Sequence, residues 1–163
     1  MPHGFGVTRS PRLFYLRFFM FIIPTFRESD DFGAGHFGAS RGSRTHNGVD
    51  FAAKPGAVVC SCVAGKITKI GYPYGDDLSY RYVEVTVPSG DRVRYFYVVP
   101  DGGCGTFEIG SDVGVGDPLG AVQDIAKRYD TDTKKMNNHF HFEIKRGSEY
   151  LDPADWLAGE GLA

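Results

Sequence analysis

Two short segments carry imidazoles and carboxylates at spacings that suit a metal ion: His46-Asn47-Gly48-Val49-Asp50 and His139-Phe140-His141-Phe142-Glu143. On an extended strand, successive side chains alternate between faces. That alternation predicts His46 and Asp50 on one face, and His139 and His141 on one face. Val49, Phe51, Phe140, Phe142 and Ile144 then turn the other way. Each segment therefore offers one side to a core and one side to an ion. Two neutral imidazoles and a carboxylate make a three-ligand set that leaves zinc an open position, the pattern of a catalytic rather than a structural site. The expected ligands are His46, Asp50 and His141. His139 is expected beside the ion, as general acid or base toward water whose pKa zinc lowers to roughly 7. The same ligand types also build the facial triad of non-haem iron oxygenases, but there the first histidine and the carboxylate stand closer in the chain.

The elements that must position these residues follow from composition and pattern. At 163 residues the chain is long enough for one domain with its own core. Aromatic residues at 14% and 22 glycines favour β-structure with tight turns. The net charge of −2, from 18 basic and 20 acidic side chains, leaves no nucleic-acid footprint. Residues 27–45 are rich in Asp, Gly and Ser and read as a long loop leading into His46. Strands are predicted over 48–53, 57–62, 65–72, 80–87, 92–99 and 119–123, followed by one at His139. Pro88-Ser89-Gly90-Asp91 is a hairpin turn between two of them. Val83, Val85 and Val87 are predicted to share one face of their strand, with Tyr82, Glu84 and Thr86 on the other. Residues 125–137 read as a loop or helical turn, and Asp152-Pro153 as the cap and first position of a short helix through Trp156. The expected fold class is mainly β: a single small antiparallel β-domain with a short C-terminal helix.

Two regions stay open at this level. In residues 1–26, Arg9 and Arg12 precede an apolar run from Leu13 to Phe26 that Arg17 interrupts and Pro24 closes. It is too short and too charged to span a bilayer. It reads as a weak secretory signal without a clean cleavage site, or as an edge strand, with the catalytic domain over 27–163. Cys60, Cys62 and Cys104 read as buried thiols, with a Cys60–Cys104 or Cys62–Cys104 bridge as the alternative.

The residues together resemble the lysostaphin-type zinc peptidases, which cut peptide cross-links in bacterial peptidoglycan. The resemblance rests on His46-x₃-Asp50 with a distal His139-x-His141. It is supported by Phe32-Gly33-Ala34-Gly35 with Arg44-Thr45, Pro55-Gly56-Ala57-Val58, Ala64-Gly65-Lys66-Ile67, Val115-Gly116-Asp117-Pro118-Leu119-Gly120 and Asp152-Pro153. It covers about residues 30–158. It implies an antiparallel β-domain with Zn2+ on His46, Asp50 and His141 at the floor of a groove. It also implies a catalytic His139, a peptidoglycan peptide as substrate, and action outside the cytoplasm. One departure stands out: the family's Tyr-x-His-Leu strand reads Tyr95-Phe96-Tyr97-Val98 here, with Tyr97 in the place of a second histidine. A phenol can donate a hydrogen bond to a developing oxyanion but is a poor base at neutral pH, and some relatives with this replacement are thought to keep zinc and lose proteolysis. Three readings follow: an active zinc endopeptidase, a zinc-holding recognition module, and a component of a phage particle or cell-envelope assembly. Arg44 and Arg41, in the lead-in loop, read as solvated side chains, with Arg44 as the candidate contact to a carboxylate of the peptide stem. Glu143 shares the face of the histidines and is an expected outer partner of a ligand.

Overall fold

Short runs of Val, Ile, Tyr and Phe, interrupted by glycine turns, form ten strands and two short helices in the computed structural model, which describes residues 25–100 and 107–159. The strands are β1 (Val49–Ala52), β2 (Val58–Cys60), β3 (Gly65–Gly71), β4 (Tyr82–Thr86), β5 (Arg92–Phe96), β6 (Val98–Val99), β7 (Asp112–Val113), β8 (Pro118–Val122), β9 (His139–Arg146) and β10 (Glu149–Leu151). The helices are α1 (Ala126–Tyr129) and α2 (Pro153–Gly159). A seven-stranded antiparallel sheet runs β1-β9-β5-β4-β3-β7, with β10 paired to the far end of β9. A second sheet runs β2-β8-β6. Ile67, Val83, Val85, Val93, Tyr95, Phe142 and Ile144 of the large sheet meet Val59, Val98, Leu119 and Val122 of the small one in a shared core. Removing this apolar surface from water is the main stabilising term.

The sequence pattern places most of these elements, and the exceptions have physical causes. The strand expected over 92–99 is broken at Tyr97, whose φ of 61° is left-handed. Here the chain leaves the large sheet as β5 and enters the small one as β6. Tyr97 N–H donates to Arg81 O, and Tyr97 O accepts from Gln123 N–H, fixing that corner. Strand β4 begins at Tyr82 rather than Tyr80, because Arg81 N–H turns to the side chain of Gln123. In β4 the predicted division of faces does not separate core from water: Tyr82 and Glu84 are buried as well as Val83 and Val85. Glu84 is tolerated there because Arg94 Nε donates to it at 2.7 Å. The two- and three-residue strands β7 and β10 carried no periodic signal.

The hairpin at 88–91 forms with Gly90 at a φ of 91°. Asp152 caps α2 through Ala154 N–H at 2.9 Å, and Trp156 Nε1 donates to the buried Asp91 at 2.7 Å, fixing the helix on the sheet. Residues 25–27 run antiparallel to β1, with Thr25 O accepting from Ala52 N–H and Phe26 stacked on Phe51. Residues 1–24 and Cys104 lie outside the described residues, and with them the signal expectation and both disulfide alternatives. Cys60 and Cys62 are half-buried rather than fully buried. Among the described residues, no helix is long and apolar enough to cross a membrane.

Candidate metal centre

Strand β9 performs the separation expected of it. Phe142 and Ile144 enter the core, while His139, His141 and Glu143 face the other way. Antiparallel pairing sets Asp50 directly opposite His141, close enough for side chains to meet. His46 reaches the same point by another route. It lies before β1 rather than on it, so strand alternation does not align it. The lead-in loop does: His46 N–H donates to Ala39 O, and His46 O accepts from Gly38 N–H, both at 2.8 Å.

The three expected ligands converge. Asp50 Oδ1 lies 2.9 Å from His141 Nδ1 and 3.1 Å from His46 Nε2, and the two ring nitrogens are 2.9 Å apart. Ligand bonds of 2.0–2.2 Å at tetrahedral angles would set zinc donors about 3.3 Å apart, so one small ion can cap this triangle after a slight opening. The outer contacts also fit. His46 Nδ1–H donates to His36 O at 2.9 Å, which leaves Nε2 as a lone pair. His141 Nε2 faces Glu143 Oε2 at 3.4 Å, which leaves Nδ1 facing inward. Asp50 Oδ2 is taken by Arg27, leaving Oδ1. Three donor atoms thus meet at one point, and once His141 gives up its inward proton they could hold one metal ion.

Protonation follows the same logic. Burial opposes a charged His141, but the hydrogen bonds to Asp50 and Glu143 outweigh it and hold its pKa up at about 9. Burial would raise the Asp50 pKa, yet its bonds to His141 and His46 keep the carboxyl well below the usual range. His139 is different. Burial lowers its pKa against the pull of Asp50, so the ring is neutral at pH 7. Its Nδ1–H donates to Asn137 O at 2.7 Å, and its Nε2 lone pair faces the site, 3.7 Å from Asp50 Oδ1.

Residues 44–153 match peptidase family M23. The chain belongs to that family. Leukocyte cell-derived chemotaxin-2 of Mus musculus is 31% identical over 131 residues, covering 80% of this chain and 78% of that protein. Among solved structures, LytU superposes with a TM-score of 0.60 at 18% identity, covering 96% of this chain and 95% of LytU. Lysostaphin of Staphylococcus simulans gives 0.58 at 22% identity, covering 85% of this chain and 52% of lysostaphin. The M23 chain thus spans about half of lysostaphin's length, and its architecture is the lysostaphin-type β-domain.

In this M23 domain the remaining expected residues take distinct places. Tyr97 points into the site: its ring meets His139 edge-on at 5.6 Å, and its hydroxyl accepts from Tyr74 OH at 3.0 Å. Tyr74 OH in turn meets Tyr129 OH at 2.9 Å, and Arg128 lies 3.8 Å over the Tyr74 ring. Burial pushes the Tyr97 pKa up, so it is a phenol whose own proton remains available to the cavity. That cavity holds about 380 Å³. Arg44 is exposed at its rim, whereas Arg41 turns inward, its Nη2 donating to Ala34 O and lying 3.7 Å from Asp50 Oδ2.

Sequence reasoning missed Arg27, Tyr74, Tyr129 and Arg94, the last of which donates from Nη1 to Glu143 Oε1 at 3.0 Å. None lies in a metal-ligand pattern, and each acts through a contact made only in the fold. It also passed over Gly48, whose place between His46 and Asp50 is a usable signal. A Cβ there would lie 2.2 Å from Phe142 O and 2.7 Å from the His141 ring. Gly48→Ala is therefore expected to displace His141 and weaken metal binding by at least the roughly 10–100-fold seen when a ligand loses its support. Competition with a chromogenic chelator measures this, and an unchanged affinity would show that β1 and β9 can part without moving the ligand.

Proposed function

We propose that this M23 domain is a zinc-dependent endopeptidase that hydrolyses peptide cross-links or stem peptides of bacterial peptidoglycan outside the cytoplasm. The observation that carries the reading is the convergence of the His46, Asp50 and His141 ligand atoms beside a neutral, buried His139 whose Nε2 is unprotonated. A zinc ion held there supplies Lewis acidity, polarising a peptide carbonyl and bringing the pKa of water near 7. His139 Nε2 takes the proton from the attacking water and returns it to the leaving amine. The Tyr97 hydroxyl donates to the oxygen on which negative charge develops. In this reading an extended peptide lies across the cavity, and Arg44, exposed at the rim, meets a carboxylate on it. Incubation of the zinc-loaded protein with purified peptidoglycan of several cross-bridge types should release new amino termini. None appearing, with any type, would refute the peptidase reading.

A second reading is favoured by two observations: the phenol in place of a second histidine, and the 31% identity to a protein named as a chemotaxin. In that reading the domain holds zinc and recognises wall peptides or another protein without cleaving them. Peptide binding with no turnover would support it.

Zinc is expected to release about one proton per ion taken up near pH 7, because the inward nitrogen of His141 must lose its proton first. A raised pKa means that protons compete below about 9. Affinity should therefore weaken about tenfold per pH unit on acidification between roughly 8 and 6. Calorimetry in buffers of different ionisation heat measures both quantities, and a pH-independent affinity would contradict the assignment.

A further inference from the structure

We propose that the arm of residues 25–36, which precedes the span matched to the family, is a working part of the metal centre, with Arg27 positioning Asp50. This rests on the reading that His46, Asp50 and His141 hold a divalent ion. Arg27 is 4% exposed, and an arginine so buried must find partners for all its donors. It finds them around one ligand. Nε and Nη2 donate to Asp50 Oδ2 at 3.1 and 3.0 Å, Nη2 also reaches Gly33 O at 3.0 Å, and Nη1 pairs with Asp30.

The consequence is geometric. With Oδ2 held by two N–H groups of one planar fork, the carboxylate cannot rotate, and Oδ1 is left directed at the two imidazoles. The backbone secures the fork, since Arg27 N–H donates to Asp50 O and Asp50 N–H donates to Gly35 O, both at 2.8 Å. The arm also lies tight against the ligand, for a Cβ on Gly35 would come within 3.1 Å of Asp50 Cβ. A second ligand depends on the same arm: the oxygen that accepts from His46 Nδ1 belongs to His36. Asp30 reaches across to the segment leading into β9, accepting from Asn137 N–H at 2.9 Å, and Asn137 O accepts from His139. The arm thus touches the surroundings of His46, Asp50 and His139, although it carries none of them.

Lysine cannot replace this arginine. Its ammonium is a point charge on a flexible stem and cannot present two parallel N–H groups to one oxygen while bonding Asp30 and Gly33. The test measures zinc affinity by chelator competition, and the visible absorption of the cobalt(II)-substituted protein, for the unsubstituted chain, Arg27→Lys and Arg27→Met. We expect about 10–100-fold weaker zinc binding in Arg27→Met, with a smaller loss in Arg27→Lys. Both should show a cobalt spectrum altered by the loosened carboxylate, a signature that a general loss of stability would not produce. Should Arg27→Met fail to fold, Arg27→Lys decides the matter. Unchanged affinity and spectrum in a folded variant would overturn this proposal alone. An unsubstituted protein that takes up no zinc would overturn the reading of the site and this proposal with it.

Discussion

His139→Ala is expected to reduce peptide hydrolysis by about 10²–10⁴ while leaving zinc bound, because a positioned acid–base group contributes that much and is not itself a ligand. The geometry separates the two neighbouring histidines. His141 Nδ1 lies 2.9 Å from Asp50 Oδ1, inside the ligand triangle, whereas His139 Nε2 lies 3.7 Å from the same oxygen. Their protonation differs accordingly. His141 is drawn toward the protonated state by Asp50 and Glu143, as a site for a cation would be, while burial keeps His139 neutral. His141→Ala should therefore strip the metal and the activity together. Metal analysis after dialysis, with a peptidoglycan digestion assay on the same preparations, distinguishes the outcomes. Equal metal loss in both variants would mean that ligand and base are exchanged.

How far the sequence showed this centre depends on how local each cause is. Strand β9 was legible over its first six residues, which alternate: Phe140, Phe142 and Ile144 turn to the core and the other face carries two histidines and Glu143. Asp50 was legible for the same reason. The position of His46 was reached by a wrong step, since loop pairing with Ala39 and Gly38 places it rather than strand parity. The corner at Tyr97 was hidden because a left-handed residue inside an apolar run leaves no mark when it is not glycine. Arg27 was hidden because its role is wholly tertiary: Phe26-Arg27 reads as an ordinary loop entry until the chain returns 23 residues later with Asp50. The same holds for Glu84, which alternation assigned to the face opposite the core and which Arg94 makes buriable. Periodicity reports which face a residue takes; it is silent on which distant partner satisfies a charge.

Tyr97 is where the two functional readings part, and substitution there should have the second large effect. Tyr74 OH donates to the Tyr97 hydroxyl at 3.0 Å, which occupies an oxygen lone pair and leaves the Tyr97 proton for a ligand in the cavity. If that proton meets the developing oxyanion, Tyr97→Phe should lower kcat about 10²–10³-fold. Zinc content should not change, because Tyr97 touches His139 rather than a ligand. Tyr74→Phe should cost less, since it removes only the group that orients and polarises the donor. Tyr97→His is an informative complement, because histidine is among the residues that tolerate a left-handed backbone such as the φ of 61° here. It restores a group able to exchange a proton near neutral pH. In a working peptidase it should keep the rate within reach of the unsubstituted protein or raise it. In a zinc-holding recognition module it should create turnover where none existed, while Tyr97→Phe changes nothing but ligand binding. Kinetics of these variants on one peptidoglycan substrate therefore separate an oxyanion donor from a blocked proton shuttle. Activity indifferent to both Tyr97→Phe and Tyr97→His would leave Tyr97 as a packing residue, and the chemistry to His139 alone.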